Sequence, residues 1–201
     1  QKNLPFFTSS QLKFWFSCLF IAILYIHSKQ IIFRFLTLSN IIIKENGYLS
    51  LINFTNAKII KEKTKTIIGL PQYMSPEMLV GEPYSFEVDY WSIAVIMYEL
   101  AYRKVPFGEG VTDPIGVYFS IINSNLNHPE NSKDKLLFNL LQGMLSKNKR
   151  GRIEKKEDIK GHLWFKDFNW KMVEELKYNS EFRPVVENIG SPQINYCYLI
   201  H

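Results

Sequence analysis

Apolar positions run almost without interruption from Phe14 to Ile26, and charge is confined to the flanks of that stretch at Lys13 and Lys29. Thr8 followed three residues later by Gln11 has the form of a capping box, so a helix is expected to start there and to close near Tyr25–Lys29. Being apolar on nearly every face, it should lie at the centre of the fold. The pattern then changes period. Two short β-rich runs flank Glu45-Asn46-Gly47, and an Asn-Gly pair in that setting predicts a hairpin whose two turn residues both take positive φ. The strands are expected over Asn40–Ile43 and Tyr48–Ile52, with Phe33–Asn40 a loop leading in and Asn53-Phe54-Thr55 the exit.

Further on, Ser85 to about Leu100 reads as a second strongly apolar helix, with Ser85 placed to cap it and Glu87 at the positive end of its dipole. Asp113 and Pro114 open a helix over Thr112–Asn123. Leu136, Leu137, Leu140, Leu141, Met144 and Leu145 repeat at helical spacing within Lys133–Lys147. Asp158–Phe165 reads as a short closing helix, in which His162 and Trp164 are packing residues. The charged run Lys58–Thr66 reads as a solvated loop. No internal repeat is present.

Composition narrows the function classes. A chain of 201 residues is one domain with room for a real core. A net charge of +5 and a pI near 9.0 are too mild to argue for nucleic acid, and no basic stripe interleaved with aromatics supports it. Cys18 and Cys197 lie far apart, and Cys18 falls in an apolar run, which points to a buried free thiol, a reducing intracellular compartment and no metal site. His27 has no second ligand at metal spacing and reads as a helix-end packing residue. The apolar stretch Phe14–Ile26 is shorter than the roughly 20 residues of a membrane span and lacks a signal cleavage site, so no span is expected.

The ordered motifs carry a resemblance. Tyr25-Ile26-His27-Ser28-Lys29, the loop Phe33–Asn40, Asn53-Phe54-Thr55, Gly69–Glu77, Asp89-Tyr90-Trp91-Ser92 through Leu100, Val105-Pro106-Phe107 and His162-Leu163-Trp164-Phe165 follow one another as in the protein kinase family. The cyclic-nucleotide-dependent Ser/Thr kinases are the members most similar. The resemblance implies a mainly α fold: the large, C-terminal kinase lobe with a short β-hairpin, lacking the small β-rich lobe. Residues 1–165 would form that lobe, and residues 166–201, with Phe168-Asn169-Trp170 and Phe182-Arg183-Pro184, would form the tail of that kinase group.

It also implies site roles, several of which have lost their chemistry. Phe35 stands at the position of the proton-accepting Asp and Thr37 at that of the phosphate-steadying Lys. Asn40 keeps one metal-binding position, while Asn53 replaces the second metal-binding Asp. Thr66 falls at an activation-loop phosphorylation position, with Arg34 as its cation. Glu77 and Arg152 correspond to a buried architectural pair, and Asp89 to the residue that bonds the catalytic-loop backbone. Leu70 and Gln72 replace a Thr that contacts the catalytic Asp and a Glu that reads substrate arginine. The expected function is an inactive kinase-like module that binds protein partners as a scaffold or regulator in the cytoplasm, with no cofactor. The alternative is a Ser/Thr kinase subunit that uses Mg-ATP with a small lobe supplied from elsewhere.

Overall fold

The computed structural model describes residues 7–129, 132, 134–182 and the backbone of 197–198. Helix α1 spans Ser9–Ser28, with Thr8 accepting from the Gln11 backbone and the Gln11 side chain reaching back to Thr8 N–H at 2.9 Å. At 20 residues and a mean hydropathy of 1.4 it is long and apolar enough to cross a membrane, so length does not exclude a span as the sequence reading supposed. Burial places it instead in the core. Trp15, Phe16, Phe20 and Ile23 are fully enclosed, and α1 packs along helix α3, Glu87–Tyr102. Each such side chain removed from water contributes about 1.5–3 kcal/mol. Cys18 lies on the same helix as a free buried thiol, and burial pushes it up to about 12.

Between these helices come the short strands β1 (Ile31–Ile32), β2 (Ile41–Ile43), β3 (Leu49–Leu51) and β4 (Lys58–Ile59). β2 and β3 form the expected hairpin, in the register Ile41↔Leu51 and Ile43↔Leu49. Its turn differs from the expectation. Gly47 alone takes positive φ (81°), and its N–H donates to Lys44 O at 2.8 Å, so Glu45 and Asn46 occupy the central positions of an ordinary β-turn. Asn46 contributes through its side chain, which accepts from Tyr48 N–H. This is a three-residue hairpin loop ending in a left-handed glycine.

The run 58–66 is not a free solvated loop. Its first two residues form β4, which pairs antiparallel with β1, a strand the sequence reading missed, and Thr64 bridges Tyr84. Ile60 points inward with Ile32, Met74, Met78, Tyr84 and Val88 to make a second, smaller core. The loop is therefore tied at both ends, although Lys61, Lys63 and Lys65 are exposed.

Helix α2 is the single turn Pro76–Leu79. Ser85 does not cap α3. The helix starts after Phe86; the Ser85 hydroxyl donates to Glu62 O, and the Glu87 carboxylate accepts from Ser85 N–H. Helix α4 is Pro114–Asn123, capped by Asp113, and α5 is Lys135–Met144, capped by Asp134. Asp134 also accepts from Ser9 and from the Trp164 indole, fastening the start of α1 to the end of the lobe. The expected closing helix is split in two at Gly161, into α6 (Lys156–Lys160) and a 3-10 turn Leu163–Phe165, with His162 accepting from Trp164 N–H. Helix α7, Trp170–Glu174, follows. The tail then returns to the hairpin, where Tyr178 N–H donates to the Tyr48 hydroxyl at 2.9 Å. Strand β5, Cys197–Tyr198, pairs antiparallel with β2. The tail positions Arg183-Pro184 through Ser191-Pro192 lie outside the described residues.

Candidate functional site

The loop between β1 and β2 is suspended from one side chain. Asp89, fully buried on α3, accepts from Phe33 N–H and Arg34 N–H at 2.8 Å each, and from His27 Nε2 at 2.7 Å. Arg34 sits at φ 67°, a conformation that costs a non-glycine residue energy and persists only where surroundings hold it. The carboxylate bond to its N–H does that holding. His27, which the sequence suggested only as a packing residue, is thus part of the suspension. Its ring also lies against Phe86 and Tyr90.

Downstream, the loop brings Phe35, Thr37, Asn40 and Asn53 together. Asn40 is buried, and its Nδ2 donates to Phe35 O at 2.7 Å. Its Oδ1 accepts from Asn53 Nδ2 at 3.3 Å. Asn53 Oδ1 in turn accepts from the Thr55 hydroxyl at 2.7 Å. Asn53 takes φ 60°, which asparagine tolerates better than most residues, and so preserves a left-handed kink without a carboxylate. Thr37 is enclosed, and its hydroxyl is bonded to Ser39. Phe35 offers a half-buried ring with no proton acceptor. Both amide oxygens of the two asparagines already receive hydrogen bonds. Magnesium demands hard oxygen ligands and is usually bound through one or two carboxylates, so this donor set does not fit it. Among the described residues no group of three or more His, Cys, Asp or Glu could hold a metal ion.

Thr66 is exposed, and its surroundings are built from the tied segment. Its hydroxyl is 3.4 Å from that of Thr64, which accepts from Lys58 Nζ at 3.1 Å. The Tyr84 hydroxyl donates to Thr66 O. Burial pushes the Tyr84 phenol up, while a hydrogen bond from Arg34 pulls it down. Arg34 also donates from Nε to Asn56 O at 2.7 Å. Lys58, Thr64 and Tyr84 were not singled out from sequence, because nothing in their spacing shows that β4 folds back on β1. Leu70 is exposed, and Gln72 lies in a 3-10 turn, Pro71–Tyr73.

Glu77 and Arg152 lie apart from this cluster. Arg152 Nη1 donates to Glu77 Oε1 at 2.8 Å with both side chains 1% exposed, and the guanidinium lies 5.0 Å over the Trp91 ring. Arg152 Nε donates to Ser146 O. The pair ties the end of the segment after β4 to the connection following α5.

A helical lobe with a hairpin-borne loop hung from a buried aspartate defines a class of protein, and sequence comparison agrees. Residues 1–165 match the family described as protein kinase domain. The chain belongs to the protein kinase family. It is 33% identical over 173 residues to a cGMP-dependent protein kinase of Plasmodium berghei, covering 84% of this chain and 20% of that protein. It is 30% identical over 193 residues to cAMP-dependent protein kinase catalytic subunit 3 of Drosophila melanogaster, covering 94% and 33% respectively. To the rat serine/threonine-protein kinase Sgk2 it is 36% identical over 172 residues, covering 83% and 46%. The chain therefore spans less than half the length of each of these relatives.

Proposed function

We propose that this chain is a kinase-like lobe without phosphotransfer activity that serves as a protein-binding, scaffolding or regulatory module. The observation that carries the reading is the run of contacts Phe35–Asn40–Asn53–Thr55, in which no carboxylate stands and the neutral amides are bonded to each other and to their neighbours. A missing general base alone lowers a rate by about 10²–10⁴, and the poor metal set removes charge stabilisation that phosphoryl transfer depends on. The suspension through Asp89 and the Glu77–Arg152 pair, by contrast, are whole, as a module kept for its shape would need.

The test is radiometric. Purified chain with magnesium and labelled ATP is expected to show no phosphate transfer to itself or to a basic peptide, and no metal-dependent heat on titration with ATP. The Phe35→Asp variant should be equally silent, because it returns a base without returning a metal ligand. Transfer by the wild-type chain would sink the reading, whereas its appearance in Phe35→Asp alone would trace the silence to the missing base and not to the metal positions.

The Thr66 neighbourhood fits a structural switch. A phosphate there would add about −1.5 to −2 charges beside Lys58, with Arg34 joined through Tyr84. Chain carrying phosphothreonine at residue 66 is expected to be more stable by about 1–2 kcal/mol, and Arg34→Ala should remove most of that gain. Equal urea midpoints for modified and unmodified wild type would rule the switch out.

A further inference from the structure

Positive charge is unevenly spread along this chain. Residues 1–76 carry nine Lys and Arg against two acids, Glu45 and Glu62, while residues 77–201 carry 15 against 17. The excess is densest in the segment that begins with β4, where Lys58, Lys61, Lys63 and Lys65 surround the single acid Glu62.

The fold gives that segment two sides. Ile60 and Thr64 are buried, and the backbone is fastened by Ile60 N–H to Gln30 O at 2.9 Å and by the bridge between Thr64 and Tyr84. The Ser85 hydroxyl donates to Glu62 O and the Tyr84 hydroxyl to Thr66 O. With these groups drawn inward, the odd-numbered side chains Ile59, Lys61, Lys63, Lys65 and Ile67 are all left exposed. Lys58 differs, since its ammonium turns to the Thr64 hydroxyl. Lys61, Lys63 and Lys65 make no ion pair among the described residues.

An exposed isoleucine or a solvated lysine is ordinary when it stands alone. Here two isoleucines, 73% and 57% exposed, bracket the three lysines. The end of α1 adds to the same edge, because Gln30 bonds Ile60. Exposed Tyr25 stands there, with the Lys29 ammonium 5.6 Å from its ring centroid. Any anionic surface neutralises the lysines. A bilayer also offers an apolar layer just beneath its headgroups, where aliphatic side chains bury and a tyrosine ring rests at the boundary. A purely acidic polypeptide or a nucleic acid would match the charge and leave Ile59 and Ile67 in water.

We propose that segment 59–67, with Tyr25 and Lys29 beside it, is a peripheral contact for an anionic lipid surface. Lys61, Lys63 and Lys65 meet the headgroup anions, while Ile59 and Ile67 enter the acyl boundary. The contact uses none of Phe35, Asn40 or Asn53, so it and the reading of an inactive lobe can fail independently.

Vesicle flotation of the full chain tests it. At about 0.15 M salt the chain should float with phosphatidylcholine vesicles containing about 30% phosphatidylserine, and should not float with phosphatidylcholine alone. A lysine near an anionic leaflet raises partition about fivefold, so Lys61→Gln/Lys63→Gln/Lys65→Gln is expected to weaken binding by roughly a hundredfold. Ile59→Ser/Ile67→Ser should weaken it about tenfold with every charge in place. All five positions are exposed, so both variants should keep the wild-type urea midpoint. A wild-type chain that does not float with the anionic vesicles overturns the proposal, as does a lysine variant that floats like wild type. An isoleucine variant that floats like wild type also overturns it, and tight binding of polyglutamate by both chains would then give the surface to an acidic polypeptide.

Discussion

Asp89→Ala is expected to destabilise the chain by roughly 3–5 kcal/mol, as removal of one side of a buried charged network does. Three donors lose their partner at once: Phe33 N–H, Arg34 N–H and His27 Nε2. Two of them have no access to water in exchange, because Phe33 is 1% and His27 8% exposed. The strained φ of Arg34 loses its restraint in the same step. Urea unfolding followed by far-ultraviolet circular dichroism gives the magnitude, and amide exchange at residues 33 and 34 should show that the loss starts in this loop. Asp89→Asn separates charge from shape. It keeps one acceptor but presents an NH₂ group to a ring of donors, so it should recover less than half of the loss. A change below about 1 kcal/mol in the alanine variant would mean that the loop is held by packing rather than by the carboxylate.

The elements that sequence placed well are those whose cause is local. The capping box at Thr8 and Gln11, the apolar run of α1 and the Asp113-Pro114 start of α4 each depend on residues a few positions apart. The hairpin was legible for the same reason, and its turn was mistaken in type because Asn-Gly serves a three-residue loop as readily as a two-residue one. What escaped sequence depends on distant partners. β1 and β4 are two residues each and exist only because they meet across an intervening hairpin. Ser85 looks like a cap, but Glu62, brought close by that fold-back, takes its hydroxyl. His27 acquires its role from an aspartate 62 positions away, which no spacing rule reveals. At the candidate site the identities of Phe35, Asn40 and Asn53 could be read from motif order. That Asn40 accepts from Asn53, and Asn53 from Thr55, follows from the fold and not from their spacing.

Removing one partner of the Glu77–Arg152 pair should be nearly as costly as losing Asp89, yet removing both should not. Glu77→Ala leaves a guanidinium in a site where its side chain is 1% exposed, with Ser146 O, the Trp91 face and the more exposed Glu154 carboxylate as its remaining contacts. Glu154 already pairs with the same nitrogen, 3.5 Å from Nη1, but at 29% exposed it is the weaker of the two anions. Burial also pushes the Glu154 carboxyl above its ordinary range, which weakens it as a substitute anion. A loss of about 3–5 kcal/mol follows for Glu77→Ala, and a similar loss for Arg152→Ala, which also strips the contact with Trp91. The pair is bonded through a single oxygen and a single nitrogen, and Glu77 Oε2 and Arg152 Nη2 make no hydrogen bond among the described residues. Such a pair recovers little of the desolvation both ions suffer. The double variant Glu77→Met/Arg152→Met, which fills the volume without charge, should therefore fall within about 1–2 kcal/mol of wild type. A double-mutant cycle from urea midpoints reads this as a coupling of several kcal/mol. Additive losses would show instead that each residue acts through its own packing, and that the ion pair contributes nothing to holding the segment after β4 against the connection following α5.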